Sequence, residues 1–361
     1  MNRGETRQGS VGVARSRAVI LGLWVVVLIA GCSVVDSLLP GMFTHPTATP
    51  TITPTRTATL TCTPTTTATA TLTPVPTVEA LRLLVQFDPS PVRQGGTVLI
   101  NLSASRPITV TGVLGERPLF FASRDQDEIT SDEAFAGAAV WAVAGVAVTE
   151  STGALPLQLA VRDDLGREAT TSLSVTVVAA DFGSEVISIP ADRQDLLDPQ
   201  VTQKESALLS SVYERVTEQQ IWQGPFVWPH VGNVTSGFGL QRTYNDGRRN
   251  GYHGGVDISG QVGAPVAASA AGRVVMATAL AVRGNTIVLD HGIGVYSGYC
   301  HLATIEVVEG QMVDSGAIIG RLGNTGLSTG AHLHWEMVVG GVLVDPREWT
   351  EREIPGMGVE Q

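Results

Sequence analysis

Seven histidines occur in the chain, and five of them fall between residues 253 and 334. His332 and His334 sit two apart in Gly330-Ala331-His332-Leu333-His334-Trp335-Glu336-Met337. Read as a β-strand, this stretch sends His332, His334 and Glu336 to one face and Leu333, Trp335 and Met337 to the other. The second face is apolar and buries. The first presents two imidazoles side by side, with neutral nitrogens suited to a metal ion or to proton transfer. The bland alternative is a wet strand face. His253 and Asp257 form a second pair, separated by Gly254, Gly255 and Val256, which disfavour a helix. In an extended segment positions i and i+4 share a face, so imidazole and carboxylate can point the same way. A His, an Asp and a further His make a three-ligand set for zinc, with one position left for water. Alone, His-x-x-x-Asp is a surface coincidence; its weight comes from preceding the His-x-His strand. No His-Glu-x-x-His occurs, so the common helical zinc-protease arrangement and its glutamate base are excluded. Histidine is left as the acid or base, with His301 and His332 to spare. A closed structural zinc site of three histidines and an aspartate is a further alternative, disfavoured because such sites prefer cysteine.

The elements that must position these residues read as strands. From Trp222 to about Trp349 the chain is glycine-rich, and helical periodicity is largely missing. Ala264–Val275, Thr286–Leu289, Tyr296–Leu302 and Ala317–Leu322 have strand character. The expectation is an antiparallel β domain.

The order of motifs within it resembles a known family. His253-x-x-x-Asp257, Tyr299-Cys300-His301-Leu302 and Gly323-Asn324-Thr325-Gly326-Leu327-Ser328-Thr329-Gly330-Ala331-His332-Leu333-His334 follow one another at fitting spacing. Ser236-Gly237-Phe238-Gly239, Gly263-Ala264-Pro265-Val266, Asp290-His291-Gly292 and the Asp345-Pro346 close belong to the same pattern. Together they are similar to the lysostaphin/LytM-type peptidoglycan zinc metallopeptidases, the duplicated hybrid motif fold. The resemblance covers roughly residues 223–350 and says nothing of residues 43–178. It implies that His253, Asp257 and His334 bind Zn2+ and that His301 and His332 are the catalytic pair. It implies a metalloendopeptidase that hydrolyses peptide bridges of bacterial peptidoglycan. Some members of that family lack ligands and instead activate cell-wall amidases; that is the competing reading, although no ligand is missing here. A third reading is an envelope adhesion or scaffold module, which leaves the histidines unexplained. Asn233, just before the Ser-Gly-Phe-Gly turn, is a candidate substrate contact. His291 reads as structural, His230 as peripheral and Cys300 as a buried thiol.

Upstream, Arg3, Arg7, Arg15 and Arg17 precede an apolar run from Ala18 to Ala30 that stops at Ile29-Ala30-Gly31-Cys32. This reads as a signal peptide over 1–31 with Cys32 as the lipidated residue; an uncleaved anchor helix is the alternative. Either places the remainder outside the cytoplasm, attached to the membrane in the cell envelope. Residues 32–78 hold the lipid site and a Thr/Pro-rich tract that cannot build a core and is biased to polyproline II. It can span on the order of 100 Å. Cys62 lies in that tract, and no disulfide is expected from Cys32, Cys62 and Cys300. Residues 79–182 alternate at period two, as in Leu155, Leu157, Leu159 and Val161, and read as an immunoglobulin-like β-sandwich without chemistry. Residues 190–222 are a helical connector. Its helix over 198–221 starts at Asp198-Pro199 with an apolar stripe of Val201, Leu208, Leu209, Val212 and Val216. It is expected to pack on one neighbouring domain and to set its angle to the other. Residues 351–361 are a tail. The whole is mainly β. A net charge of −11 without a basic run excludes nucleic acid as a partner. Oligomeric state is not encoded in any motif.

Overall fold

The computed structural model describes residues 79–124, 133–245, 247, 249–352 and 354, and the backbone of 25–29. The lipidation candidate Cys32, the Thr/Pro tract with Cys62 and the last seven residues lie outside them.

The chain is mainly β. Six long strands build the first part: β1 (Leu81–Asp88), β2 (Thr97–Ala104), β3 (Ile108–Leu114), β4 (Ala138–Gly145), β5 (Gly153–Asp163) and β6 (Glu168–Val178). One sheet runs β1-β2-β4, with Val25–Ile29 beside β1, and the other runs β6-β5-β3. The period-two pattern of β5 becomes alternating burial, Leu155, Leu157, Leu159 and Val161 inward and Gln158 and Arg162 outward. Strands β2 and β4 behave differently, because both of their faces are covered. Val98, Ile100 and Leu102 face the sandwich interior, whereas Leu99, Trp141 and Val143 join the core of the C-terminal sheet. Trp141 meets Trp222 edge to face at 6.2 Å, and Trp222 meets Trp349 at 6.0 Å. Trp349 donates to Thr97 Oγ1 across this junction at 3.3 Å.

The C-terminal sheet has eight antiparallel strands. From one edge inward it runs β8 (Val234–Ser236), β11 (Val256–Ser259), β15 (His332–Val339), β14 (Val295–Leu302), β13 (Gly284–Gly292) and β12 (Gly272–Leu280). The stretch Ala264–Val275 is not one strand: Pro265–Ala267 belongs to a small separate sheet and β12 begins only at Gly272. A three-stranded sheet flanks the site, β7 (Ser184–Ile187), β9 (Gln241–Tyr244) and β10 (Arg249–Tyr252) in the order β7-β9-β10. Helix α2 (Pro346–Glu351) follows the last strands.

Helix α1 (Pro199–Tyr213) begins as its cap residues dictate. Asp198 accepts from Gln200 N, and Pro199 occupies the first turn. It stops at Tyr213, shorter than the periodicity predicts, and its buried side is Glu205, Leu209 and Val212, while Leu208 is exposed. Leu209 and Val212 pack on Met276, Val288, Tyr296 and Val338 of the C-terminal sheet. The expectation that this helix sets the angle between two domains is corrected here. Trp222 packs between Trp141 of the sandwich and Trp349 of α2, Trp349 donates to Thr97 across the junction, and α1 instead roofs part of one sheet face.

Candidate active site and metal centre

The strand alternation of β15 divides the chemistry from the core. Leu333, Trp335, Met337 and Val339 are buried in the main core. His332, His334, Glu336 and Val338 share the other face, whose Val338 end lies under α1. Register then assembles the site. Asp257 on β11 stands opposite His334, and Cys300 on β14 stands opposite it from the other side. By simple alternation after Cys300, His301 belongs on the core face. A register shift between Tyr299 and Leu302, with His301 at φ +60, turns it back toward the site.

Three histidines donate Nδ1–H to main-chain carbonyls: His253 to Gly237 at 2.8 Å, His301 to Thr325 at 2.8 Å and His332 to Gly330 at 2.9 Å. Each then holds its Nε2 as a bare lone pair. His334 is reversed. Its Nε2 faces Glu336 Oε2 at 3.4 Å and its Nδ1 meets Asp257 Oδ1 at 2.8 Å. His253 Nε2 is 3.0 Å from Asp257 Oδ1 and 3.0 Å from His334 Nδ1. Two imidazole lone pairs and a carboxylate oxygen this close repel unless a proton or a cation lies among them. Two nitrogens and one oxygen, backed by Gly237 O, Glu336 and Arg242, are the donor set of an open tetrahedral metal site. Among the described residues this is the cluster able to hold a metal. The residues therefore fit a divalent ion with one position free.

Asp257 does not stand alone. Arg242 Nη2 donates to its Oδ2 at 2.7 Å and to Ser236 Oγ at 2.8 Å, and the same guanidinium pairs with Glu185. Burial opposes ionisation of Asp257, yet a proton or cation shared with the His253 and His334 imidazoles holds its pKa well below the usual carboxylate range. Burial lowers His253 and His332. Burial, then the neighbouring imidazoles of His332 and His334, bring His301 down to about 3. His334 is raised despite its burial, because Asp257 and Glu336 favour its charged form. His332 Nε2 lies 3.7 Å from Asp257 Oδ1, and the His301 ring is 4.9 Å from that of His332. Both Nε2 atoms can accept a proton beside the metal position.

A second network backs His334. Tyr213 donates to Glu336 Oε1 at 3.2 Å, and Arg283 Nη2 donates to Glu336 Oε2 at 3.3 Å. Glu205 of α1 accepts from the main-chain N–H of Val282 at 2.7 Å and of Arg283 at 3.0 Å, and from the Arg283 side chain at 3.3 Å. Burial works against the Glu336 carboxylate, but Arg283 first and His334 next bring it down to about 2. The site opens into a cleft of about 450 Å³ lined by residues that include Glu185, Val186, Arg242, Asp257, Thr329 and His332.

The structure thus brings His253, Asp257, His301, His332 and His334 together. Asn233 is exposed, its carbonyl accepts from Ser259 N at 2.9 Å, and it is not part of the cleft lining. Cys300 is a buried free thiol whose pKa burial pushes up. His291 is buried between Ala271 O at 2.8 Å and Ser297 Oγ at 2.7 Å, and His230 meets Pro265 O at 3.0 Å. Arg242, Glu185, Arg283, Glu205 and Tyr213 were not legible as site residues. Only Glu336 carried a signal, since alternation puts it on the His332–His334 face.

Residues 251–346 match the model of peptidase family M23. The chain is 32% identical over 212 residues to the outer membrane antigenic lipoprotein B of Haemophilus influenzae, covering 57% of this chain and 49% of that protein. It is 34% identical over 144 residues to the peptidoglycan DD-endopeptidase ShyA of Vibrio cholerae, 40% of this chain and 31% of that one. It is 38% identical over 120 residues to the murein hydrolase activator NlpD of Salmonella dublin, 33% of this chain and 29% of that one. The chain spans about half or less of the length of these curated relatives. Among solved structures, a peptidase M23 protein of Pseudomonas aeruginosa, itself described as putative, superposes with a TM-score of 0.52 at 26% identity. The match covers 72% of this chain and 95% of that one.

Proposed function

We propose that this chain, which carries a peptidase family M23 domain at residues 251–346, is a zinc-dependent endopeptidase that hydrolyses peptide cross-links of bacterial peptidoglycan. The observation that carries the reading is the convergence of His253 Nε2, Asp257 Oδ1 and His334 Nδ1 beside two further bare imidazole nitrogens. His253, Asp257 and His334 would hold the ion. Zinc bound there would polarise a carbonyl and acidify a water. The protein's own groups move the protons. His332, its Nδ1–H committed to Gly330, accepts one at Nε2, and His301 is oriented in the same way through Thr325. An imidazole that has taken the proton returns it to the nitrogen of the leaving amine as the C–N bond breaks. Arg242 fixes the carboxylate of Asp257 and keeps Oδ1 turned inward. The relative named as a peptidoglycan DD-endopeptidase supports the substrate class, and the relative named as an outer membrane lipoprotein supports lipid attachment through Cys32 at the envelope. In this reading residues 32–78 tether the molecule, the immunoglobulin-like sandwich over 79–182 and the connector over 190–222 carry it, and 223–350 is the peptidase domain. A tether raises the local concentration of the site at the wall.

Zinc content and digestion of purified peptidoglycan, measured together on the full chain and on His334→Ala, test the reading. One zinc per chain, with cross-link cleavage that the substitution abolishes, is the expected outcome. A zinc-loaded chain that cleaves no wall preparation overturns it. The relative named as a murein hydrolase activator supports the second reading, a non-catalytic activator of cell-wall amidases. Stimulation of an added amidase in that case establishes it.

A further inference from the structure

Strand β7 lies between the sandwich and the connector, outside the family match, yet it borders the cleft. It is the terminal strand of its sheet, so one edge pairs with β9 and, among the described residues, the other has no strand beside it. The pairing with β9 is parallel, Ser184 to Ile187 matching Gln241 to Tyr244. Gln241 N donates to Gly183 O at 3.1 Å and Asn245 N to Ile187 O at 3.2 Å. In a parallel ladder the residues facing the partner alternate. Residues 183, 185 and 187 therefore point their main-chain groups at β9, and Ser184, Val186 and Ser188 point theirs outward.

That outward edge faces the metal site. Four consecutive residues, Glu185 to Ser188, line the cleft together with Asp257, Thr329 and His332, whereas β9 contributes only Arg242. Side chains of successive strand residues point to opposite faces, so a strand lines a cavity with every residue only when it is seen edge-on. The edge is also held firmly at both ends. The Glu185 carboxylate accepts from Ser236 Oγ at 2.7 Å and pairs with Arg242. Beyond the strand, Ile189 N donates to Asn245 Oδ1 at 2.8 Å. Arg193 then ties the connector to the far wall, donating to Asn324 Oδ1 at 3.1 Å, to Asn324 O at 3.0 Å and to the carbonyl of Ser328.

We propose that the open edge of β7 recognises the main chain of the peptide substrate, which adds to it as an extended strand and is carried past His332 to the metal position. The proposal rests on the reading that this cleft accepts a peptide. The occupant is an extended peptide because an unpaired strand edge offers alternating N–H and C=O groups at strand spacing, and only another extended main chain matches them. Val186 is the central contact, with its N–H and C=O on the open edge and a side chain that is 77% exposed.

Val186→Pro removes that N–H and leaves every bond to β9 in place, since proline is tolerated on an edge strand where the N–H faces outward. Val186→Ala changes the side chain and keeps the N–H. The probe is a purified cross-linked muropeptide dimer, titrated into the metal-free full chain so that binding is read without cleavage, then offered to the zinc-loaded chain. Loss of one hydrogen bond to the ligand corresponds to roughly tenfold weaker binding and a KM raised by about the same factor, with kcat nearly unchanged. Val186→Ala, which keeps the N–H, is expected to lose much less than Val186→Pro in both. Equal losses in the two variants, or a Val186→Pro chain that binds and cleaves like the parent, overturn the proposal and leave the hydrolase reading standing. A parent that binds the dimer and does not cleave it overturns the hydrolase reading and leaves the edge standing. A parent that sediments as a dimer which Val186→Pro dissociates assigns the edge to a second copy and overturns the proposal. If Val186→Pro lowers the melting temperature, the ligand replaces it as the variable. N-methylation at successive amides of the probe must weaken binding at every second position, and uniform sensitivity overturns the proposal.

Discussion

The sandwich and the C-terminal sheet bury charge in opposite ways. Among the described sandwich residues the buried charged side chain is Asp163. It satisfies itself within its own turn, accepting from Leu165 N at 3.0 Å and Arg167 N at 2.9 Å and pairing with Arg167 at 2.6 Å. The C-terminal sheet buries His253, Asp257, Asp290, His291, His301 and Glu336, and α1 adds Glu205. Asp257 meets His334 77 positions away, and Glu205 meets Arg283 78 positions away. Removing charge from water is unfavourable unless partners replace the lost solvation. A turn can supply such partners by itself. A site that gathers donors from four strands and a helix can do so only through the fold.

This contrast can be broken by substitution, beginning with the largest effect. Asp257→Ala is expected to abolish stoichiometric zinc binding, measured by metal analysis, and peptidoglycan cleavage with it; retention of one zinc per chain contradicts the ligand set. Glu336→Gln comes next. It removes the carboxylate behind His334 and should weaken zinc about 10- to 100-fold in a chelator competition. It also leaves Arg283 with Glu205 as its one carboxylate partner, which lowers unfolding free energy by about 1–3 kcal/mol. The double variant Glu336→Gln, Arg283→Met should recover much of that stability and none of the zinc affinity. Recovery of both would place Glu336 outside the metal's support.

His291 gives a smaller, pH-dependent effect. Burial lowers its pKa from 6.5 to about 4 in the folded chain. Below pH 6.5 the unfolded chain binds a proton that the folded chain refuses, so stability declines as pH falls from 6.5 to about 4 and this contribution is flat below. The full drop is about 3 kcal/mol at 1.36 kcal/mol per pKa unit. Denaturant unfolding at stepped pH should show the decline in the parent and a shallower one in His291→Gln; parallel curves refute it. The smallest effect belongs to the sandwich. Asp163→Ala should cost about 1–3 kcal/mol through the unsatisfied turn N–H groups, with zinc content unchanged. A change in zinc content would show that the two regions are coupled more tightly than their separate networks imply.

Much of the site was legible because one strand carried it. Period-two alternation placed His332, His334 and Glu336 opposite Leu333, Trp335 and Met337, and membership of the apolar core follows that division. The sandwich strands were legible for the same reason, as was the start of α1 at Asp198-Pro199. Where both faces of an element are covered, alternation loses its meaning. Strand β4 reads as an unbroken apolar run because Trp141 and Val143 serve a second core. Leu208 continues an apolar stripe in sequence yet faces solvent, since Glu205 takes the buried position to reach Val282 and Arg283.

The sequence by itself determined the local facts: which residues share a strand face, where a helix is capped, and that imidazoles and a carboxylate gather in one β domain. These follow from backbone periodicities and side-chain chemistry, which act over a few residues. The tertiary structure decided the tautomers of the histidines through the carbonyls of Gly237, Thr325 and Gly330. It also decided the return of His301 to the site through a bulge, the clamp of Arg242 on Asp257, and the placing of β7 along the cleft. Those depend on register and on contacts between segments remote in sequence, and no local pattern encodes the distance between two strands before they pair.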